Sequence, residues 1–319
     1  MLAFIKHFFR NINFFIDKNN EKELVIVVII MSYFGDALVG NSLFQNIKRI
    51  YPNAKTVFII NKQYYEVAKY QKDVDEVVIY DKNGLHKGIL GMLKFVKDFP
   101  YKNIKYIFKM CKKSRVDILS FLLHPQKIIN YNDKELSCER YINMLKKVTN
   151  EKIVNLPIIF NADMNIPPKF KNLIFQNKKY VAICTVSSNP IKDMPISTSV
   201  DIIDKLSAAG YEVIFVGAGD TAKNYALELK HYNSKFINLV NSTSIYELAQ
   251  VLRNCKGLIS VDTGTMHLGY ANNVPTVCVF YVQGNIKAWA PNPEIYPHTI
   301  LPTNLSSDGI YDSFRTLVK

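Results

Sequence analysis

The five cysteines (Cys111, Cys138, Cys184, Cys255, Cys278) form no CxxC pair and no metal-ligand spacing. That scatter excludes a zinc ribbon or a dithiol redox motif and fits thiols that fill space in a reducing compartment. No apolar run approaches the roughly 20 residues that span a bilayer. The most apolar stretch, Leu24 to Phe34, is too short. The N-terminal residues also lack the unbroken apolar stretch and small-residue cleavage site of a signal peptide. Acidic residues are scarce, with 27 Asp and Glu against 40 Lys and Arg, so the formal charge is +13. Such a field favours an anionic partner: nucleic acid, a phosphorylated small molecule or an acidic membrane surface. Part of the excess also reads as compositional bias, since Lys, Asn and Ile are abundant throughout. No nucleic-acid-binding module is recognisable and the lysines are dispersed rather than striped, which argues against nucleic acid.

What is present suits globular packing. Hydrophobic residues make up 48% of the 319, with 19 Phe and 19 Tyr, enough for more than one core. Near the start, Ile5, Phe8, Phe9, Ile12, Phe15 and Ile16 recur at helical spacing with Lys6, Arg10 and Lys18 between them. This predicts an amphipathic helix within residues 1–22. Such a helix can lie in an anionic membrane interface or pack on its own domain, and both readings stand.

From residue 23 strand and helix alternate. Strands are predicted at 24–31, 55–60, 75–80, 104–108 and 127–131, and helices at 37–50, from about 61 to 70, and at 89–97, 116–123 and 139–148. Residues 150–170 carry three prolines and little periodicity, and read as an interdomain connection. Strands follow at 179–186, 211–217, 236–241, 257–261 and 276–280. The helices between and after them fall at 198–209, 221–232, 245–254, after Thr263, and near 311–317. The pattern predicts an α/β protein with two parallel sheets, each covered on both faces. The expected domains are 23–160 and 161–319, with a C-terminal helix able to pack back on the first.

In such folds ligands bind outside the carboxyl ends of the strands. "SVDTGTMHLGYANNVPTVCVF" (260–280) puts Asp262, Thr263, Gly264 and His267 at such an end, where a helix begins. Unpaired N–H groups and the macrodipole draw phosphate there, and Gly264 lets an anion approach the backbone. Taken singly, Asp262 reads as a helix cap and His267 as a core residue. "TVSSNPIKDMP" (185–195) offers Thr185, Ser187, Ser188 and Lys192, a set suited to a diphosphate. "VGAGDTA" (216–222), with Gly217 and Asp220, fits a relaxed dinucleotide fingerprint, but the next strand lacks the acid expected about 20 residues on. NAD binding is therefore not expected. In the first half Gly35 and Asp36 follow the first strand, where a carboxylate could deprotonate a hydroxyl or cap a helix.

These motifs together resemble glycosyltransferase family 9, the bacterial heptosyltransferases of lipopolysaccharide core assembly. The D-T-G-x-x-H element, the opening G-D, "YPNAKTVFII", "DVDEVVIY" and "NSTSIYELAQ" carry the resemblance from about Leu24 to the C-terminus. It implies a GT-B fold of two Rossmann-like domains facing a cleft, with the acceptor in the first and the nucleotide sugar in the second. It implies an inverting, metal-independent transfer, usually from ADP-heptose, with no cofactor. By motif, Asp36 would be the base and Lys192 the catalytic cation. Ser32 and Gly35 would face the acceptor. Thr185, Ser187, Ser188, Gly217, Asp220, Thr243, Asp262, Thr263, Gly264 and His267 would hold the donor. The partners implied are a nucleotide sugar and a lipid-linked saccharide, handled in the cytoplasm at the inner face of the bacterial inner membrane. Four departures from the pattern stand out: Ile30 replaces a basic residue, Met194 a Trp, and Ser242 a Lys, while the segment Phe280-Tyr281-Val282-Gln283 replaces F-G-P-T. The lone Trp289 either lines the cleft or packs. A GT-B enzyme with a UDP- or GDP-sugar, and a non-catalytic relative that binds nucleotide or glycan, remain as rival readings.

Overall fold

The computed structural model describes residues 23–132, 134–135, 137–172 and 178–319. The amphipathic helix expected within 1–22 lies outside the described residues. Two parallel sheets form the framework. The first comprises β1 (Val25–Ile30), β2 (Lys55–Asn61), β3 (Glu76–Tyr80), β4 (Ile104–Lys109) and β5 (Lys127–Asn130), in the order β3-β2-β1-β4-β5. The second comprises β6 (Tyr180–Cys184), β7 (Glu212–Phe215), β8 (Phe236–Asn238), β9 (Gly257–Val261), β10 (Thr276–Val279) and β11 (Thr299–Ile300), in the order β11-β10-β9-β6-β7-β8.

Why these segments become central strands is visible in β1. Its sequence VIVVII is β-branched throughout and buried on both faces, as a central parallel strand requires. Alternation then divides it. Ile26, Val28 and Ile30 enter a large cluster that also holds Tyr180, Ala182 and Leu258 of the second sheet. Val25, Val27 and Ile29 enter a cluster confined to the first half. The two sheets therefore share apolar packing between them.

In each sheet the strand order reverses beside the first strand, at β1/β4 and at β6/β9. The crevice at such a point is where α/β sheets bind ligands. The turns after β1, β6 and β9 carry Asp36, Lys192 and Asp262. Topology thus brings the three flagged segments to the carboxyl edges of central strands.

Two expectations need correction. The helix expected at 37–50 begins three residues earlier and is divided, Phe34–Val39 and then Asn41–Ile50, so Gly35 and Asp36 sit in a first helical turn. Tyr33, extended at φ −84° and ψ 156°, is the N-cap. Among the described residues the C-terminal helix (Ser307–Leu317) packs on the second half and not back on the first. Ile310 and Phe314 are buried with Val181, Val277 and Leu206 of the second half, and Asp308 pairs with Lys205 at 2.7 Å. Its apolar stripe matches the outer face of the second sheet.

The crossing stretch is more ordered than its composition suggests. Asn46 Nδ2 donates to the Val154 carbonyl at 2.8 Å, and its Oδ1 accepts the Val154 N–H at 3.0 Å. Ser42 accepts from Leu156 N–H, Gln45 donates to the Pro157 carbonyl, and Asn41 accepts from Ile159 N–H. Helix Asn41–Ile50 thus satisfies the backbone of an irregular strand with four buried polar side chains, as buried peptide groups demand. No helix among the described residues is long and apolar enough to cross a membrane.

Candidate functional site

The junction between the halves is built on two glycines. A Cβ on Gly35 would lie 3.0 Å from the imidazole Cδ2 of His267 and 3.4 Å from the Cα of Gly264. A Cβ on Gly264 would lie 2.2 Å from the Phe34 ring. The turn after β1 and the turn after β9 therefore touch, backbone against backbone. The missing side chain at Gly264 leaves room for the Phe34 ring. Gly264→Ala is expected to lower stability by about 1–3 kcal/mol through overpacking, read as a fall in the thermal midpoint. An unchanged midpoint would mean the Phe34 ring swings clear.

Asp36 lies in the first turn of its helix, half-buried beside this contact. Burial pushes its carboxyl above the usual range, opposed by the Ser32 hydroxyl, which donates to Oδ2 at 3.0 Å, and by the positive charge of Arg140. Burial penalises the ionised form, so this carboxylate is a stronger proton acceptor than an exposed one.

In the second half, Lys192 ends a short 3₁₀ turn (Pro190–Lys192), and its Nζ lies 2.8 Å from Asp262 Oδ2. Asn285 Nδ2 donates to the same oxygen at 2.7 Å. The carboxylate of Asp262 is thus held between an ammonium and an amide, with only 6% of its side chain exposed against 22% for Lys192. Thr263, not Asp262, is the N-cap of helix Gly264–Ala271, and it makes no side-chain cap bond. The first N–H groups of that helix have no intrahelical acceptor by geometry.

His267 is buried, and burial pushes its imidazole pKa down to about 4. It is therefore neutral at pH 7. Its Nδ1 lies 2.5 Å from the Tyr270 hydroxyl, and its ring meets Trp289 edge-on at 6.0 Å. It shapes the junction and adds no positive charge.

The remaining candidates divide by exposure. Ser187 N–H donates to Asp193 Oδ1 at 2.7 Å, and its hydroxyl donates to the Asn189 carbonyl at 2.8 Å, which fixes the loop after β6. Ser188 is exposed. Thr185 is only 1% exposed, and its carbonyl accepts Met194 N–H at 2.8 Å, so it props this loop from beneath instead of lining the cleft. Gly217 packs against Ala222, while Gly219, at φ +90°, is held by Asn241 Oδ1 at 2.7 Å and leads into an exposed Asp220. Thr243 is half-buried just before Ser244, which caps helix Ile245–Arg253 through a reciprocal pair with Glu247.

Sequence reasoning missed two members of this neighbourhood. Asn285 lies in a loop without periodicity. Arg140, on helix Ser137–Asn143, has its guanidinium 5.1 Å from the ring centre of Tyr131, 5.4 Å from Tyr141 and 5.4 Å from Trp289. Trp289 therefore joins Arg140 of the first half to His267 of the second. Its isolation in the sequence was the one available hint. Among the described residues no group of three or more His, Cys, Asp or Glu could hold a metal ion.

Residues 112–298, more than half of the chain, match the family model for glycosyltransferase family 9 (heptosyltransferase). A Campylobacter jejuni lipooligosaccharide heptosyltransferase 2 is 24% identical over 265 residues, covering 80% of this chain and 81% of the relative. A family 9 glycosyl transferase from Veillonella parvula superimposes with a TM-score of 0.79 at 18% identity, covering 92% of this chain and 97% of that one. An E. coli structure described as ADP-heptose lps heptosyltransferase II gives 0.72 at 15% identity, covering 92% and 98%.

Proposed function

The chain belongs to glycosyltransferase family 9, and we propose from that membership that it moves a heptose from ADP-heptose onto a lipopolysaccharide or lipooligosaccharide core acceptor. Transfer proceeds with inversion and without a metal ion. The observation that carries this reading is the direct contact of the Gly35–Asp36 turn with the Asp262-Thr263-Gly264 turn, each at the carboxyl edge of a central strand.

In this mechanism the acceptor hydroxyl oxygen attacks the anomeric carbon as the bond from that carbon to the diphosphate oxygen breaks. Asp36 takes the hydroxyl proton, and ADP leaves with the bonding pair. Ser32 keeps the carboxylate oriented, and Gly35 lets it stand close to the donor turn. The leaving charge meets Lys192 and the first N–H groups of helix Gly264–Ala271, in a site partly closed to water where fixed dipoles count most. Ser187, Ser188, Asp262 and Thr263 line the diphosphate, and Gly217, Asp220 and Thr243 the nucleoside side. Thr185 supports that loop, and neutral His267 supports the turn. The donor assignment draws on the E. coli neighbour described as an ADP-heptose enzyme. The acceptor assignment draws on the lipooligosaccharide heptosyltransferase 2 relative. Work on such an acceptor belongs on the cytoplasmic side of a bacterial inner membrane.

A thermal-shift panel of ADP, UDP, GDP, CDP and ADP-heptose tests the donor. A ligand at 100 times its Kd adds about 2.7 kcal/mol to native stability. ADP and ADP-heptose are expected to raise the midpoint by several degrees while the other nucleotides leave it in place. A shift from UDP or GDP alone would assign a different nucleotide sugar.

A further inference from the structure

The edge strand β3 of the first sheet runs into a turn that holds aliphatic side chains out in water. Leu85 is 59% exposed, Ile89 77% and Leu90 83%. Leu85 crowns the turn, while Ile89 and Leu90 lie in the first turn of helix Gly88–Asp98. Lys87 precedes them and Lys94 stands one helical turn after Leu90 on the same stripe, both exposed. Apolar tip and cationic rim are the two components of an interfacial anchor.

The turn is built, not loose. His86 is buried, and its Nδ1 accepts Asp81 N–H at 2.9 Å while Tyr80 Oη donates to its carbonyl at 3.2 Å. Its ring packs 5.0 Å from that of Phe95, and Gly84 N–H is held by Asp81 Oδ1 at 3.0 Å. With His86 fixed inward, Leu85 on one side and Lys87 on the other are turned outward. Ordered presentation of aliphatic groups to water carries a hydration penalty that a binding surface removes.

We propose that this tip, formed by Leu85, Ile89 and Leu90 with Lys87 and Lys94, docks the first half onto an anionic lipid bilayer. Two features favour lipid over a protein partner. Three aliphatic side chains offer on the order of a few hundred Å², short of the ~800 Å² per partner that stable protein complexes bury. The lysines complement an anionic surface. Topology adds a direction. β3, β2 and β1 are parallel neighbours, so the tip and the Asp36 turn leave the same sheet edge about 10 Å apart in strand spacings. Docking through the tip turns the acceptor edge toward the membrane, and this orientation, unlike the docking, rests on the proposal of a lipid-linked acceptor.

The test is sedimentation of the full chain with vesicles of phosphatidylglycerol and phosphatidylethanolamine, and with vesicles of phosphatidylcholine alone. Neither substrate nor turnover enters, so the result stands apart from any failure of the sugar-transfer proposal. The triple variant Leu85→Ser, Ile89→Ser, Leu90→Ser is expected to bind the anionic vesicles about tenfold or more weakly, with an unchanged thermal midpoint and an unchanged solution mass. Lys87→Glu with Lys94→Glu is expected to weaken binding to the anionic vesicles alone. Three results would overturn the proposal. One is wild-type protein that stays in the supernatant, and another is a triple variant that binds as wild type does. The third is a variant with a lowered midpoint or altered solution mass and intact vesicle binding, which assigns the tip to a contact within or between chains.

Discussion

Asp36→Asn is expected to lower kcat for sugar transfer by about 10³-fold, within the range of a positioned general base, while ADP still shifts the thermal midpoint as in wild type. The amide keeps the size and the Ser32 contact but cannot take a proton. Since burial raises the carboxyl pKa, the acid limb of kcat/KM against pH should fall above the ordinary carboxylate range. The same shift has a sign for stability. A carboxyl raised in the folded state adds stability that is complete below its unfolded pKa and is lost as pH climbs through the folded one. Above that folded pKa wild type has lost the contribution, so there Asp36→Asn should match or exceed its midpoint. Loss of activity with gain of stability marks a strained functional group. Transfer at the wild-type rate would end the assignment of the base.

Lys192→Met carries the second large effect. It removes the cation expected at the leaving diphosphate, and kcat/KM should fall by about 10²–10³-fold. It also leaves Asp262 largely buried with Asn285 as its hydrogen-bond donor, at a cost of about 3 kcal/mol, the low end for a buried charge that has lost its ionic partner. The two effects separate in the double variant Lys192→Met, Asp262→Asn, which should recover most of the lost stability and none of the lost activity. Urea denaturation and steady-state kinetics on the three proteins read this directly. If the double variant recovered activity, Lys192 would matter only as the partner of Asp262.

The strands were legible because parallel sheets demand a simple pattern. VIVVII, buried on both faces, cannot be mistaken for a surface element, and β9 falls where its residues predict, at 257–261. The segments around Asp36, Lys192 and Asp262 were legible because each joins a strand to a helix with polar residues where connections usually need only a cap. Contacts across the halves were hidden. Nothing local announces that Phe34 fills the space at Gly264, or that the Arg140 guanidinium meets Trp289, because those partners lie more than a hundred residues apart. Asp262 was ambiguous for a related reason. Taken singly, an acid before a helix is the usual sign of a cap, but here it pairs with a lysine 70 positions upstream and Thr263 is the cap. The polar face of helix Asn41–Ile50 was equally opaque, because Asn, Ser and Gln at helical spacing ordinarily mark a solvated surface.

That face has a consequence for how the chain tolerates change in length. Connections between domains usually accept added or deleted residues, because nothing counts their positions. Here the stretch from Val154 to Ile159 is held in register by Asn46, Ser42, Gln45 and Asn41, all on one face of a single helix. An extra residue would misalign every contact that follows it in the stretch at once. The bridge between the halves is gauged as strictly as a strand inside a sheet.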